Sequence, residues 1–232
     1  AAGVAHEINN PLSGILSNAE FLQEEIPDDS EEQQEEIREI VENSQRIKTI
    51  VQDLLNFSRQ RDSRTYTTLD ISSVITSSLN LTEHQIQLDR IKIVKEIGAT
   101  LPFVRGSFNQ IEQVFINLLS NARYALNQKY PDPHEDKTLR IRTAQVEENG
   151  RKYVRVEFHD RGIGIREEDM DKIFNPFYTS KEQGQGTGLG LSISYNIIQE
   201  HKGTIRFDSK EGEYTKVTVD LPVYEGDIED GE

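Results

Sequence analysis

The 232 residues include no cysteine, which excludes disulfides and thiolate metal sites and fits a reducing compartment. No apolar run approaches the roughly 20 residues that a membrane-spanning helix needs. No signal-peptide pattern is present either, so the chain is expected to be soluble. Basic residues are scarce. Lys and Arg total 26 against 41 Asp and Glu, a net charge of −15. That balance excludes non-specific nucleic-acid binding, which depends on cationic side chains neutralising phosphates, and it reads as solubility. Internal repeats and low-complexity linkers are also missing. What remains is 34% apolar residues, unevenly placed, in a length suited to one or two domains.

Residues 1–26 read as a helix. Ala5, Ile8, Leu12, Ile15, Ala19, Leu22 and Ile26 recur at alternating steps of three and four, one stripe of a heptad pattern. Pro27-Asp28-Asp29-Ser30 breaks it and caps a second helix that runs to about residue 62. The second stripe is Ile37, Val41, Ser44, Ile47, Val51, Leu54 and Ser58, widened by Ile40, Ile50, Leu55 and Phe57. One hairpin cannot cover so wide a stripe, whereas two copies in a four-helix bundle can. An all-α hairpin that homodimerises is therefore expected over 1–64.

Beyond it, Ile71–Leu81 and Gln110–Leu126 read as helices and Ile91–Ile97 as a strand. Thr138–Val146 and Lys152–His159 alternate as strands around a turn at Glu148-Asn149-Gly150-Arg151. Leu189–His201 is helical, and Gly203–Ser209 with Tyr214–Leu221 form another strand pair. This mixture predicts an α+β two-layer sandwich over 65–224, a mixed sheet covered by helices, followed by an acidic tail over 225–232.

Three motifs in this second region bear on nucleotide chemistry. Asp160 ends an apolar strand, where a carboxylate accepts a hydrogen bond from adenine's amine and rejects guanine's carbonyl. Gly162 and Gly164 let the backbone turn tightly and approach a flat base, though an ordinary Asp/Gly turn has the same composition. Asn117 and Asn121 share one helical face. An amide oxygen suits magnesium, whose other ligands are waters and substrate phosphates; two asparagines bridging within the core are the alternative. Gly184, Gly186, Gly188 and Gly190 precede an apolar helix whose N-terminus favours an anion. The spacing is neither a Walker loop nor the dinucleotide fingerprint. Between these motifs, Phe174–Lys181 supplies aromatics to anchor a closing loop, with Lys181 to meet a phosphate and Gln183–Gly186 to give mobility.

In the first region, Val4-Ala5-His6-Glu7-Ile8-Asn9-Asn10-Pro11 puts His6 at the flank of the apolar stripe. A neutral imidazole is a competent nucleophile, and Glu7 can take or orient its proton. Asn10 lies one turn on, and Pro11 deprives the Glu7 carbonyl of its helical partner. His84, His134, His159 and His201 lie near turns or element ends and carry no assigned chemistry.

Taken together, these segments resemble the H, N, G1, F and G2 boxes of sensor histidine kinases, whose ATP-binding domain is similar to those of gyrase, Hsp90 and MutL. The resemblance covers about residues 1–223. It implies an ATP-dependent kinase that phosphorylates His6 and passes the phosphoryl group to an aspartate of a response regulator. It implies ATP under a lid, with Asp160 on adenine, Mg2+ on Asn121, and Asn117, Gly162, Gly164, Lys181, Gly186, Thr187, Gly188, Leu189 and Gly190 lining the cofactor site. The position matching Asn10 places a water for dephosphorylation of the regulator. Ala122-Arg123-Tyr124 departs from the family's Lys-Tyr pair, leaving Arg123 and Tyr124 as ribose or phosphate contacts. A cytoplasmic chain is implied, including as the interior part of a membrane-bound sensor, with the sensor segment absent. Two other readings stay open: an ATP hydrolase or clamp, which would want a glutamate at Asn117, and a nucleotide-binding dimer scaffold without catalysis.

Overall fold

A computed structural model of the chain describes residues 12–22, 30, 33–41, 43, 44, 47, 66–181 and 186–226. His6, Glu7, Asn10, Gly184 and the last six residues of the acidic tail lie outside the described residues. The chain divides into two units, residues 1–64 with 175–189 and residues 65–174 with 190–232.

The first unit contains helix α1 (12–22) and helix α2 (33–41, helical again at 43, 44 and 47). The Ser30 carbonyl accepts the Gln34 N–H at 3.0 Å and opens the first turn of α2. Leu12 and Ala19 are buried on α1, and Ile37 and Ser44 on α2. Each pair is spaced by seven, as a heptad stripe demands. Ile15 and Leu22 on the same stripe remain 51% and 48% exposed, and Ile47 45%.

The second unit is built on a five-stranded mixed sheet. In chain order its elements are β1 (Thr67–Leu69), α3 (Ile71–Leu88), β2 (Lys92–Glu96), β3 (Val104–Gly106), α4 (Phe108–Lys129), β4 (Thr138–Glu148), β5 (Arg151–Asp160), α5 (Glu167–Met170), α6 (Gly190–Glu200), β6 (Thr204–Lys210) and β7 (Tyr214–Pro222). The sheet order is β2-β4-β5-β7-β6, with β2 parallel to β4 and the other pairs antiparallel. Helix α4 packs on β4 and β5 and is flanked by α3 and α6. This is the expected two-layer sandwich.

Alternation decides which side of each strand is covered. Val154, Val156 and Phe158 on β5, Leu139 and Ile141 on β4, and Val217, Val219 and Leu221 on β7 are all buried. They meet Ile111, Val114, Phe115, Leu118, Leu119 and Leu126 of α4 in one core, and the Phe115 and Phe158 rings lie 5.3 Å apart. Burying each such side chain contributes about 1.5–3 kcal/mol.

The opposite face carries charge. Asp220 of β7 is only 2% exposed, because Arg155 of β5 grips it through Nε (2.7 Å) and Nη2 (3.0 Å). Arg206 of β6 adds a bond at 2.5 Å. Glu148 accepts from Arg155 at 2.5 Å.

The β4–β5 turn places Asn149 and Gly150 at φ 52° and 74°, the double left-handed pattern of a type I′ hairpin. Helix α3 continues seven residues beyond its expected end, because Thr82 and Ile86 extend the buried face. It ends with the Arg90 N–H on Gln87 O and the Ile91 N–H on Ile86 O, a Schellman pattern with Arg90 at φ 54° where glycine is usual. Strands β1 and β3 pair with each other, Val104 of β3 also bridges Val223 just past β7, and each strand is three residues long, too short to show a period. Short helix α5 likewise had no sequence signal.

His201, at the end of α6, is buried. Its Nδ1–H donates to Ile197 O (2.7 Å), and its Nε2 accepts the Ser107 N–H (3.0 Å) at the start of α4. Tyr66 stacks on the ring at 5.0 Å. Among the described residues no helix is long and apolar enough to cross a membrane.

Candidate functional site

Asp160 is the last residue of β5 and continues the inward series of Val154, Val156 and Phe158. It is 4% exposed. Its Oδ1 accepts the Gly162 N–H at 2.8 Å. Burial pushes its carboxyl up to about 7, opposed by the Gly162 amide and by the positive charge of Lys129.

The loop that follows is held on two sides. A Cβ at Gly162 would stand 2.6 Å from Ala125 of α4, and the Ile163 N–H donates to Ala125 O at 3.2 Å. Gly164 has φ +68°, and a Cβ there would stand 2.1 Å from the Lys210 carbonyl oxygen. The Gly212 N–H donates to Ile163 O at 2.6 Å, and the Ile165 N–H to Ser209 Oγ at 2.9 Å. Both glycines are thus required by backbone packed against them: Gly162 under α4, Gly164 under the β6–β7 turn.

Asn117 sits two turns before Ala125 on α4, about 12 Å along the axis at 1.5 Å per residue. Its Nδ2 donates to Ser194 Oγ at 2.9 Å, and that hydroxyl donates to Gly190 O at 2.9 Å. A Cβ at Gly190 would stand 2.4 Å from Asn117 Oδ1. The first asparagine therefore seats on the N-terminus of α6, where free N–H groups favour an anion. Asn121 is half-buried one turn further along the same face.

Arg123 points elsewhere. Its Nε bonds Asp89 Oδ2, and its Nη1 donates to Gln85 Oε1 at 3.1 Å. Asn127 donates to the same Asp89 oxygen at 2.7 Å. Two residues on a helix turn about 200°, so Arg123 faces the end of α3 while Asn121 faces away. Tyr124 is half-buried beside it.

The remaining candidates lie in the first unit. Residues 175–178 form a turn with the Tyr178 N–H on Asn175 O at 3.1 Å. Phe177 has φ 67°, at the position of a type II turn that normally takes glycine. Its N–H donates to Gly188 O at 2.9 Å, and a Cβ at Gly188 would stand 2.4 Å from the Phe177 carbonyl carbon. Gly186 lies against Lys181 and Thr179, with a Cβ there 3.1 Å from each. Burial lowers the Lys181 ammonium from its ordinary value. Thr187 Oγ1 accepts the Leu189 N–H at 3.4 Å.

The structure therefore brings Asp160, Gly162 and Gly164 together at one end of α4, and Asn117 with Gly190 towards its middle. It directs Arg123 away from both. Ser194, Ser209 and Lys129 hold these pieces in place, and sequence reading missed them. Ser194 alone had a local cue, its spacing of four from Gly190. Among the described residues no group of three or more His, Cys, Asp or Glu side chains could hold a metal.

Residues 106–225 match the family described as Histidine kinase-, DNA gyrase B-, and HSP90-like ATPase. Residues 1–63 match the His Kinase A (phospho-acceptor) domain. Sensor histidine kinase ZraS of Salmonella typhimurium is 33% identical over 223 residues, 96% of this chain and 45% of that protein. Sensory histidine kinase/phosphatase NtrB of Klebsiella oxytoca is 35% identical over 225 residues, 95% of this chain and 61% of that one. The chain thus spans about half the length of these curated relatives. Among solved structures, the catalytic domain of histidine kinase ThkA aligns with a TM-score of 0.57 at 30% identity, covering 68% of this chain and 95% of that one.

Proposed function

Given that the chain belongs to the sensor histidine kinases, we propose that it autophosphorylates His6 from ATP and passes the phosphoryl group to an aspartate on a response-regulator receiver domain. One observation carries the nucleotide half of this reading: a buried carboxylate, Asp160, stands at a strand end with a backbone amide on Oδ1, while Asn117 of the same helix-covered face seats on the glycine that opens α6. The first element suits an adenine amine, the second the phosphate end.

The residues present fit both ATP and magnesium. Gly190 is bare where a side chain would strike Asn117, which leaves the N-terminus of the eleven-residue helix α6 open to an anion. Asn121 would hold magnesium through its amide oxygen, beside phosphate oxygens. The ion would supply charge neutralisation as the phosphoryl group moves.

In the transfer, one imidazole nitrogen of His6 forms the new N–P bond as the bond between the γ-phosphorus and the ADP oxygen breaks. Glu7 takes or orients the proton on the other imidazole nitrogen. Asn117 is an amide and takes no proton from water, which favours transfer to protein over hydrolysis. Lys181, Gly186, Thr187, Gly188 and Leu189 would close over the phosphates. Tyr124 remains a candidate ribose contact, whereas Arg123, bonded to Asp89, reads as a tie between α3 and α4.

Two chains would pair through the exposed stripe that includes Ile15, Leu22 and Ile47. Asn10 would place a water for removing the phosphoryl group from the regulator, an activity that the NtrB relative's name includes. The setting is the cytoplasm, where ATP is supplied.

The test is incubation with γ-labelled ATP. Wild-type chain should acquire acid-labile, alkali-stable label, and His6→Gln should acquire none. Equal acid-labile labelling of both would remove His6 from the role, and steady phosphate release without phosphoprotein would restore the hydrolase reading.

A further inference from the structure

The Asp160–Ile165 loop is closed on a third side by a residue that no motif contains. Lys129 lies in the last turn of α4, one turn beyond Ala125 and on the same face. Its Nζ donates to Glu213 O at 3.2 Å and stands 5.3 Å from the centre of the Tyr130 ring. Helix α4 is therefore joined to the loop through Ala125 O, the loop to the β6–β7 turn through Gly212 N and Ser209 Oγ, and the turn back to α4 through Lys129. These three sides make a closed triangle about the loop that follows Asp160.

The charges near Asp160 leave Lys129 in a particular place. The register partners of Asp160, Leu139 on β4 and Thr215 on β7, are uncharged. In the turn, Lys210 pairs with Glu213 Oε1 at 2.5 Å, and Glu211 is exposed. Arg161 pairs with Asp136. Arg140 and Lys216 act on His159, on the other face of the strand. Lys129, tied to the turn through Glu213 O, carries a positive charge that favours the ionised form of Asp160.

We propose that Lys129 is a positioning residue for adenine recognition, locking the β6–β7 turn over the loop and placing a positive charge at the turn that closes on the Asp160 loop. The inference rests on the nucleotide reading above. An ionised Asp160 accepts from the adenine amine, and a protonated one loses that capacity at one oxygen. Burial disfavours the ion and a nearby cation restores it, so Lys129 determines how far below neutrality the site still binds.

Two measurements on the whole chain test this. The first is ADP affinity by calorimetry between pH 6 and 9. The second is the Asp160 carboxyl titration by carbon-13 NMR without nucleotide. In the wild type, ADP affinity should fall as pH drops through about 7. Lys129→Met should raise both midpoints by about half a pH unit, so that ADP binds about threefold more weakly at pH 6, about twofold more weakly at pH 7 and nearly equally at pH 9. Lys129→Arg should restore the wild-type midpoint, which loss of packing alone would not explain. Lys129→Gln serves should the Met variant not fold. An unchanged Asp160 midpoint in the neutral variants, or an affinity loss equal at every pH, overturns the inference. An Asp160 midpoint that shifts as expected in a chain binding no ADP at any pH upholds the electrostatic role of Lys129 and sinks the nucleotide reading instead.

Discussion

Asn117 and Gly190 occupy space that a methyl group would contest: a Cβ on the glycine would stand 2.4 Å from the asparagine's Oδ1. The contested atom is the end of a side chain, so Gly190→Ala can be accommodated if Asn117 swings away and its bond to Ser194 at 2.9 Å breaks. The folding cost is about 1 kcal/mol, one hydrogen bond. Nucleotide affinity should fall far more, because the amide no longer stands at the opening of α6. Calorimetric titration with ADP beside a thermal melt separates the two effects, and unchanged affinity would show that Asn117 serves packing alone.

Gly164→Ala meets a harder obstacle. The clash is with backbone, the Lys210 carbonyl oxygen at 2.1 Å, and φ is +68°. Left-handed backbone costs a residue with Cβ about 1–2 kcal/mol, and displacing the β6–β7 turn adds to it. A loss of about 3 kcal/mol in urea unfolding is expected, with ADP binding weakened as the Asp160 loop moves. Wild-type stability in this variant would mean that the turn yields freely.

Asp160 should make stability fall as pH rises. Its folded carboxyl titrates near 7 against an ordinary value of 3.8, so between these values the folded chain binds more protons than the unfolded one. The penalty is absent below pH 4, grows up to pH 7, and is complete above it, on the order of 4 kcal/mol. Asp160→Asn removes this slope and is more stable than wild type at pH 8 in urea titrations. It should bind ADP about 10- to 100-fold more weakly, the worth of a hydrogen bond to a charged group.

Arg155→Met addresses the other face of the sheet. It strips two bonds from Asp220, whose side chain is 2% exposed, and leaves Arg206 as partner. Breaking a buried ion pair costs about 3–5 kcal/mol, and the remaining arginine should hold the loss near the lower figure. Urea unfolding gives the number. ADP affinity at saturating stability should match wild type, because the network lies across the sheet from Asp160.

Much of the fold was legible from neighbouring residues. The alternation of Val154, Val156 and Phe158 predicts a strand with one buried face, and Asp160 inherits its inward direction from that count. The apolar face of α4 and the Asn149-Gly150 turn are equally local. Helix α3 runs past the expected Leu81, because polar Thr82 interrupts the apolar pattern before Ile86 resumes it. Strands β1 and β3 escaped notice because three residues carry no period.

The amino-acid order by itself determined the longer helices and strands of the second unit and the residue types offered to a nucleotide, since period and turn chemistry act over a few residues. Tertiary structure alone decided the strand order β2-β4-β5-β7-β6, the turning of Arg123 to Asp89, the seat of Asn117 on Gly190 and the reach of Lys129 to Glu213. The last three join residues between 34 and 84 positions apart. Such contacts follow from how whole faces pack, and no short stretch of chain encodes them.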